Sequence, residues 1–126
     1  MFCELNGDGL FEEKGKIVQV WGDGKQMRDF IHIDDCVDGV IKTMDKINDS
    51  SAINLSTGIF TSFIDFIKLG KKITGFQFDI IRKKSKPVGV YARAGSITKQ
   101  KKLGFQAQIK IEQGIKRGLE FYQKKL

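Results

Sequence analysis

The sequence predicts a mixed α/β to α+β fold, in which short strands accompany three to four helices. Stretches such as GKIVQVW at 15–21 alternate apolar and polar residues, and this period of two is typical of strands. Other stretches place apolar residues three or four apart, which is the period of a helix with one buried face. The 126 residues are enough for one domain with a modest core, so we expect a single domain over residues 1–126.

Four segments have the composition of strands, and four have the pattern of helices. The expected strands are 15–21, 28–33, 52–56 and 76–82. The expected inward faces of the first, second and last helices are Val37, Val40, Ile41, Met44 and Ile47; Phe63, Ile64, Ile67 and Ile73; and Ile111, Ile115, Leu119 and Tyr122. A short helix is expected around SITKQKKL at 96–103.

Side chains that can accept backbone N–H bonds mark the expected helix starts. These are Asp34 or Asp35 for the first helix, Thr61 for the second, and Ser96 or Thr98 for the third. Gly75 is expected to end the second helix. His32, inside an apolar stretch, is interpreted as a core imidazole of a strand.

Charge is unevenly distributed along the chain. Residues 1–50 carry 6 Lys and Arg against 11 Asp and Glu, whereas residues 51–126 carry 16 against 4. The basic part suggests a polyanionic partner, but solvated helix faces explain most of these lysines. Basic and aromatic residues do not alternate as in a stacking platform for bases, so nucleic acid is an unlikely partner.

Several classes of protein and site are disfavoured. No apolar run approaches the ~20 residues that span a bilayer, and no export signal is recognised, so we expect a cytoplasmic protein with free thiols at Cys3 and Cys36. The dinucleotide fingerprint G-x-G-x-x-G, the P-loop and the nucleophile elbow are absent, and no metal site is expected. NGDGLFEE at 6–13 is interpreted as a turn, because a calcium loop would need a glutamate where Gly15 stands.

Three side chains are candidates for binding a nucleoside diphosphate. Arg28 follows a turn and begins a strand, and Arg93 lies in the long aperiodic stretch 83–96. A guanidinium suits phosphate oxygens, and Trp21 would supply an aromatic wall for the base. For Arg28, a salt bridge to Asp29 or Asp23 is an equally good interpretation of the residues alone.

Four stretches in order resemble the C-terminal part of the extended short-chain dehydrogenases, the NAD(P)-dependent nucleotide-sugar epimerases, dehydratases and reductases. They are VWGDGKQMRDFIHIDDCVDGVI, INLSTGIFTSFIDFIKLGKKITG, SKPVGVYARAGSITKQKKLGF and IEQGIKRGLEFY. The resemblance covers residues 15–126, and the surroundings of Trp21 and SKPVG are most similar to the GDP-L-fucose synthase branch. It implies the C-terminal portion of a Rossmann-type enzyme whose N-terminal dinucleotide-binding half is absent here.

The resemblance implies that Trp21, Arg28 and Arg93 contact a nucleotide diphosphate sugar. Arg93 is aligned less firmly, because Ser96 stands where the branch has an aspartate. NAD or NADP would be the cofactor of the full-length parent, with none bound by this chain alone. The chain also lacks the Tyr-x-x-x-Lys pair, so we expect it to be catalytically incomplete and to need an N-terminal half, in the same polypeptide or supplied in trans. A homodimer is the other expected assembly. The alternative is a stand-alone basic module that binds nucleic acid or a protein.

Overall fold

The computed structural model of this protein describes residues 16–124. The expected turn at 6–13 and Cys3 lie outside the described residues. Within them the elements, in chain order, are β1 (Lys16–Trp21), β2 (Met27–Arg28), α1 (Ile33–Met44), β3 (Thr61–Ser62), α2 (Phe63–Thr74), β4 (Phe78–Lys83), β5 (Ala92–Arg93), α3 (Thr98–Lys102) and α4 (Ile111–Gln123). Four helices with short strands agree with the predicted fold class.

The chain divides into two compact units, each assembled from two separate segments. Of the described residues, the first unit contains 16–27 together with Thr61–Ala92, and the second contains Arg28–Phe60 together with 93–124. That the whole chain forms a single domain stays a prediction.

A parallel pair of strands organises the first unit. β1 and β4 pair in register, from Lys16 opposite Phe78 to Trp21 opposite Lys83, which confirms the strands expected at 15–21 and 76–82 apart from their ends. Val18 and Val20 of β1 are buried, as alternation predicts for the inner face of a strand.

The glycine turn after β1 holds the start of α2. The carbonyl oxygens of Gly24 and Gln26 accept the N–H groups of Ile64 at 2.9 Å and Phe63 at 3.1 Å. The hydroxyl of Ser62 accepts the next N–H of the helix at 3.1 Å, so the cap is Ser62 and the expected Thr61 cap is wrong. Gly24 has φ +76°, and a Cβ there would lie 3.2 Å from Ile64 and from Val20, so both the backbone and the packing require glycine.

α2 ends where the sequence predicts. Gly75 adopts the left-handed conformation with φ 72°, and its N–H donates to the carbonyl of Lys71 at 3.0 Å. This bond satisfies a carbonyl that the last turn of a helix leaves without a partner. The interpretation of Gly75 as the residue that stops the helix is therefore confirmed.

In the second unit, α1 begins earlier than the sequence suggested. The helix starts at Ile33, and Nδ1 of His32 accepts the N–H of Asp34 at 3.2 Å. His32 is thus the N-cap, so its interpretation as a core imidazole of a strand and the expected Asp34 or Asp35 cap are wrong. One reason is that Asp34 is engaged elsewhere, accepting from Nη1 of Arg117 at 3.2 Å. Of the strand expected over 28–33, Arg28 alone lies in a strand, β2.

The buried face of α1 is its polar face. Asp35, Gly39 and Thr43, spaced four apart, are buried. The Asp35 carboxylate accepts the N–H of Gln108 at 3.1 Å and of Ile109 at 2.8 Å. These bonds compensate the carboxylate for the loss of water, so the helix can turn this side inward.

The apolar stripe of α1 is exposed, so the expected inward face was wrong. A Cβ at Gly39 would lie 2.9 Å from the Leu55 side chain and 3.0 Å from the Phe105 ring, which shows how closely the polar side of the helix packs. The large apolar residues on the remaining surface keep half or more of their exposure: Ile33 67%, Val37 50%, Val40 51%, Ile41 62% and Met44 61%.

No strand forms in residues 45–60, so the expected strand at 52–56 is wrong. A strand needs a neighbouring backbone, and here a side chain takes that role. The Gln100 amide accepts the N–H of Ser56 at 2.9 Å and donates to its carbonyl at 2.8 Å. Gln100 is only 1% exposed, so this clamp fixes the end of the segment to α3.

The last two helices differ in how well the sequence predicted them. α3 is capped by Ile97 without a side-chain hydrogen bond, so the expected Ser96 or Thr98 cap is wrong. α4 lies where its apolar period indicated, although Tyr122 is 68% exposed and not inward. Phe105, between the two helices in sequence, is 1% exposed.

Candidate functional site

The carboxylate of Asp29 holds the loop Ser56–Gly58. Its Oδ2 accepts the Ser56 hydroxyl at 2.7 Å and the Gly58 N–H at 2.7 Å. Its Oδ1 accepts the Thr57 N–H at 2.9 Å and the Thr57 hydroxyl at 2.7 Å. Four donors around one carboxylate fix this loop to the residue that directly follows Arg28.

These bonds also change the acidity of Asp29. Partial burial acts to raise the pKa of its carboxyl, but the donors from Ser56, Thr57 and Gly58 together outweigh it and lower the pKa below the ordinary value for aspartate. Hydrogen bonds to a carboxylate favour its charged form. Asp29 is therefore an anion at neutral pH and acts as an acceptor in this cluster.

Ser56 joins the cluster to a second loop. While its hydroxyl donates to Asp29, the same oxygen accepts the Gly95 N–H at 3.2 Å. Ser56 is 4% exposed. A Cβ at Gly95 would lie 2.8 Å from the Asn54 Cβ, so the two loops approach more closely than any larger residue at position 95 allows. One buried hydroxyl thus connects the segment after Arg28 with the segment after Arg93.

The structure brings two of the three candidate residues onto neighbouring strands. Arg28 ends β2 and Arg93 ends β5, and these strands are adjacent in a three-stranded sheet of order β3-β2-β5. Arg28 is half-buried and Arg93 is exposed. Two arginines on neighbouring strands are candidates for the paired cationic forks that bind phosphate oxygens.

Trp21 lies in the first unit, at the end of β1. It is half-buried rather than freely exposed, and Nζ of Lys86 lies 5.4 Å from its ring centroid, within the range of a cation–π contact. The buried Gln26 amide donates to the Trp21 carbonyl at 3.2 Å, which ties the glycine turn to this residue. That Trp21 acts with the two arginines on one ligand stays a prediction.

The glycine turn does not fit the pyrophosphate of a dinucleotide cofactor. Such sites use free N–H groups at a helix N-terminus, but the first N–H groups of α2 are taken by Gly24, Gln26 and Ser62. The turn therefore serves to anchor a helix.

Residues 16–124 form neither a metal site nor a membrane-spanning helix. No group of three His, Cys, Asp or Glu side chains in that range is placed to hold a metal ion. None of the helices there has the length and apolar character that a bilayer crossing requires. A cavity of about 240 Å³ is lined by residues that include neither candidate arginine: Ala52, Ile53, Asn54, Ser96, Thr98, Lys99 and Lys102.

Sequence reasoning missed the residues that organise the arginines. Asp29 was considered only as an ion-pair partner of Arg28, and neither Ser56 nor Gln100 was assigned a role. The stretches RDF and NLSTG contain the only sequence indication. The carboxylate of the first can accept hydrogen bonds from the hydroxyl and N–H groups of the Ser-Thr-Gly run in the second. No spacing rule predicts that residues 27 positions apart meet.

Comparison with known proteins gives consistent relatives. Residues 11–56 match the model of the NAD dependent epimerase/dehydratase family. The probable GDP-L-fucose synthase 1 of Oryza sativa subsp. japonica is 29% identical over 83% of this chain and 32% of its own length. The chain thus spans about a third of the length of the curated relatives it matches.

Solved structures show the same fold. A GDP-6-OMe-4-keto-L-xylo-heptose reductase from Campylobacter jejuni superimposes with a TM-score of 0.77 at 33% identity, covering 87% of this chain and 34% of that one. A UDP-glucose 4-epimerase from Thermotoga maritima, solved with UDP-glucose, gives 0.77 at 30% identity, covering 85% and 35%. Both are nucleotide-sugar enzymes of the extended short-chain dehydrogenase fold, and their matches confirm the predicted fold class.

The Asp29 cluster makes the stability of the chain dependent on pH. We expect Asp29→Asn to lower the free energy of unfolding at pH 7 by about 1–2 kcal/mol, because an amide presents a donor to groups that need an acceptor. Because the pKa of Asp29 is lower in the folded than in the unfolded chain, its carboxylate stabilises the fold above the ordinary aspartate pKa of about 3.9. This stabilisation is lost as the pH falls through the pKa of the folded state. The difference in free energy of unfolding between wild type and Asp29→Asn should therefore become smaller below about pH 4.

Urea unfolding at pH 7, 5, 4 and 3 measures this difference. Asp23→Asn removes a carboxylate from an exposed turn, where it accepts only the Lys25 N–H, and controls for the loss of one negative charge. A wild-type advantage over Asp29→Asn that stays constant from pH 7 to pH 3 would contradict the assigned role of the carboxylate.

Proposed function

Because this chain belongs to the NAD-dependent epimerase/dehydratase family, we propose that it is the C-terminal, nucleotide-sugar-binding region of an NAD(P)-dependent sugar epimerase, dehydratase or reductase. The observation that carries the proposal is the placement of Arg28 and Arg93 on neighbouring strands. Their loops are joined by the Asp29–Ser56–Gly95 hydrogen bonds. The resemblance at Trp21 and SKPVG favours the GDP-L-fucose synthase branch.

The chemistry of two arginines suits the diphosphate of the ligand. A diphosphate offers several oxygens at a short spacing, and each guanidinium can donate two parallel N–H bonds to them. A nucleoside diphosphate is also common to the names of the C. jejuni reductase and the T. maritima epimerase. Arg28 and Arg93 would therefore bind the part of the ligand that does not depend on the sugar.

Trp21 is assigned to the base. An indole ring offers the large flat face on which a purine or pyrimidine stacks. Lys86, which lies over this ring at 5.4 Å, would bring positive charge to the same neighbourhood.

The reaction itself requires groups outside these residues. NAD or NADP would carry the hydride, bound by the dinucleotide-binding half of the parent enzyme, and the chain contains no Tyr-x-x-x-Lys pair for proton transfer. On this proposal the chain binds and orients the nucleotide sugar and is inactive alone. A cytoplasmic location stays a prediction.

The exposed face of α1 supports a dinucleotide-binding half as the partner. Contiguous apolar surface of this kind marks an interface. α1 packs on Leu55 of the segment 52–55, which has the composition of a strand but no paired strand among residues 16–124. A helix beside a segment of strand composition is typical of an α/β layer that lacks its sheet. The relatives are about three times as long as this chain, which is enough for such a sheet, in the same polypeptide or in trans.

Nucleotide binding tests the assigned site. We expect Arg28→Ala to weaken the affinity of the chain for GDP-, UDP- or dTDP-sugars by about tenfold, because a charge-assisted bond to a phosphate oxygen contributes about 1.5–3 kcal/mol. Isothermal titration calorimetry at fixed ionic strength measures this loss. Arg117→Ala, which removes an arginine bonded to Asp34, is the matched control and should leave affinity unchanged. Equal binding by wild type and Arg28→Ala at saturation would contradict the site.

Affinity purification of the tagged protein from its own cells tests whether a dinucleotide-binding half is its partner. We expect mass spectrometry to identify a polypeptide segment with an NAD(P) glycine fingerprint, joined to this chain or bound to it. If it is bound separately, Ile41→Glu should abolish its recovery, whereas Lys42→Glu, on the next and polar position of α1, should retain it. Recovery of the 126-residue chain alone, or only with a second copy of itself, would contradict the proposed partner.

A further inference from the structure

The strands that carry the two arginines are too short to fix them. β2 and β5 have two residues each, and such short pairs have little independent stability. Arg28 and Arg93 are far apart in sequence. The Met27 N–H donates to the Tyr91 carbonyl at 2.7 Å just before them, and bonds between the segments that follow them supply the second connection.

The hydroxyl of Ser56 supplies the bond between these segments. It donates to Oδ2 of Asp29, the neighbour of Arg28, and accepts the N–H of Gly95, two residues after Arg93. The Gln100 amide holds both backbone groups of Ser56, so the hydroxyl has a fixed position. The contact is short, since Gly95 has no room for a side chain against Asn54.

We propose that Ser56 is a positioning residue, which sets the placement of Arg93 relative to Arg28 for diphosphate binding through its bonds to Gly95 and Asp29. The inference rests on the proposed nucleotide site and adds to it a residue that does not itself touch the ligand. Its effect on binding passes through Arg93, and this distinguishes it from a residue that only stabilises the fold.

The cluster allows positioning to be separated from stability. Without the Ser56 hydroxyl, Asp29 keeps three donors, from the N–H and hydroxyl of Thr57 and the N–H of Gly58, so the loop stays attached. Only the bond to Gly95 loses its acceptor. Thr57→Val is the matched control, because it also removes one hydroxyl bond to Asp29, together with the acceptor of the Ile59 N–H, and leaves the Ser56–Gly95 bond in place.

A double-mutant cycle on the full chain tests the inference, with GDP as the probe and the dissociation constant as the readout. We expect Ser56→Ala to weaken GDP binding by about fivefold in the wild-type background. In the Arg93→Ala background the same change should weaken it by less than about twofold, because the group it positions is gone. Thr57→Val should leave the affinity within about twofold of wild type.

Two results would overturn the inference while leaving the nucleotide site intact: no loss of affinity in Ser56→Ala, or equal losses in both backgrounds. Failure of the wild-type chain to bind GDP, UDP and dTDP alike would instead overturn the proposed function. Ser56→Cys keeps a weaker hydrogen-bonding group in the same place and should give an intermediate loss; it replaces Ser56→Ala in the cycle if the alanine variant does not fold, as judged by circular dichroism.

Discussion

The Asp29 carboxylate and the donors gathered around it are the constraint on which the second unit depends. One side chain binds three consecutive residues, Ser56–Gly58, which the chain would otherwise leave as an open loop. Because each bond to an anion is stronger than a neutral one, the cluster holds Ser56–Gly58 firmly, while the Gln100 amide takes the place of strand pairing at the Ser56 backbone. Through the Ser56 hydroxyl the same cluster reaches the loop after Arg93.

This polar organisation explains why the second unit has its apolar side outward. Among its described residues Phe105 is the buried large apolar side chain, whereas Asp35, Thr43, Ser56 and Gln100 are buried and hydrogen-bonded. Because polar contacts hold this unit together, large apolar residues lie on its surface, and five of them belong to α1. Such a surface suits a component of a larger assembly, in which a further layer covers the helix.

The sequence predicted the fold class, β1, β4, the end of α2 at Gly75 and the position of α4, because these depend on local alternation, periodicity and a left-handed glycine. The sequence-based predictions were wrong where a contact with a residue distant in sequence determines the local structure. The stripe containing Val40 and Ile41 was placed inward because an apolar face normally packs on a core, and nothing local shows that Asp35 binds backbone around residue 108. Similarly, β-type composition at 52–56 does not reveal that Gln100 takes the place of a strand. Arg28 and Arg93 were selected from motifs, but the bonds that connect their loops became visible only in three dimensions.

The central claim is that Arg28 and Arg93 bind one diphosphate together. The most direct measurement is a GDP titration followed through the Nε–Hε NMR signals of all arginines in ¹⁵N-labelled chain. The account predicts that the signals of Arg28 and Arg93 shift and saturate with one common dissociation constant, while that of Arg117 does not move. Saturable binding that leaves both signals in place, and perturbs instead the lysine-rich surface of α3, would contradict it.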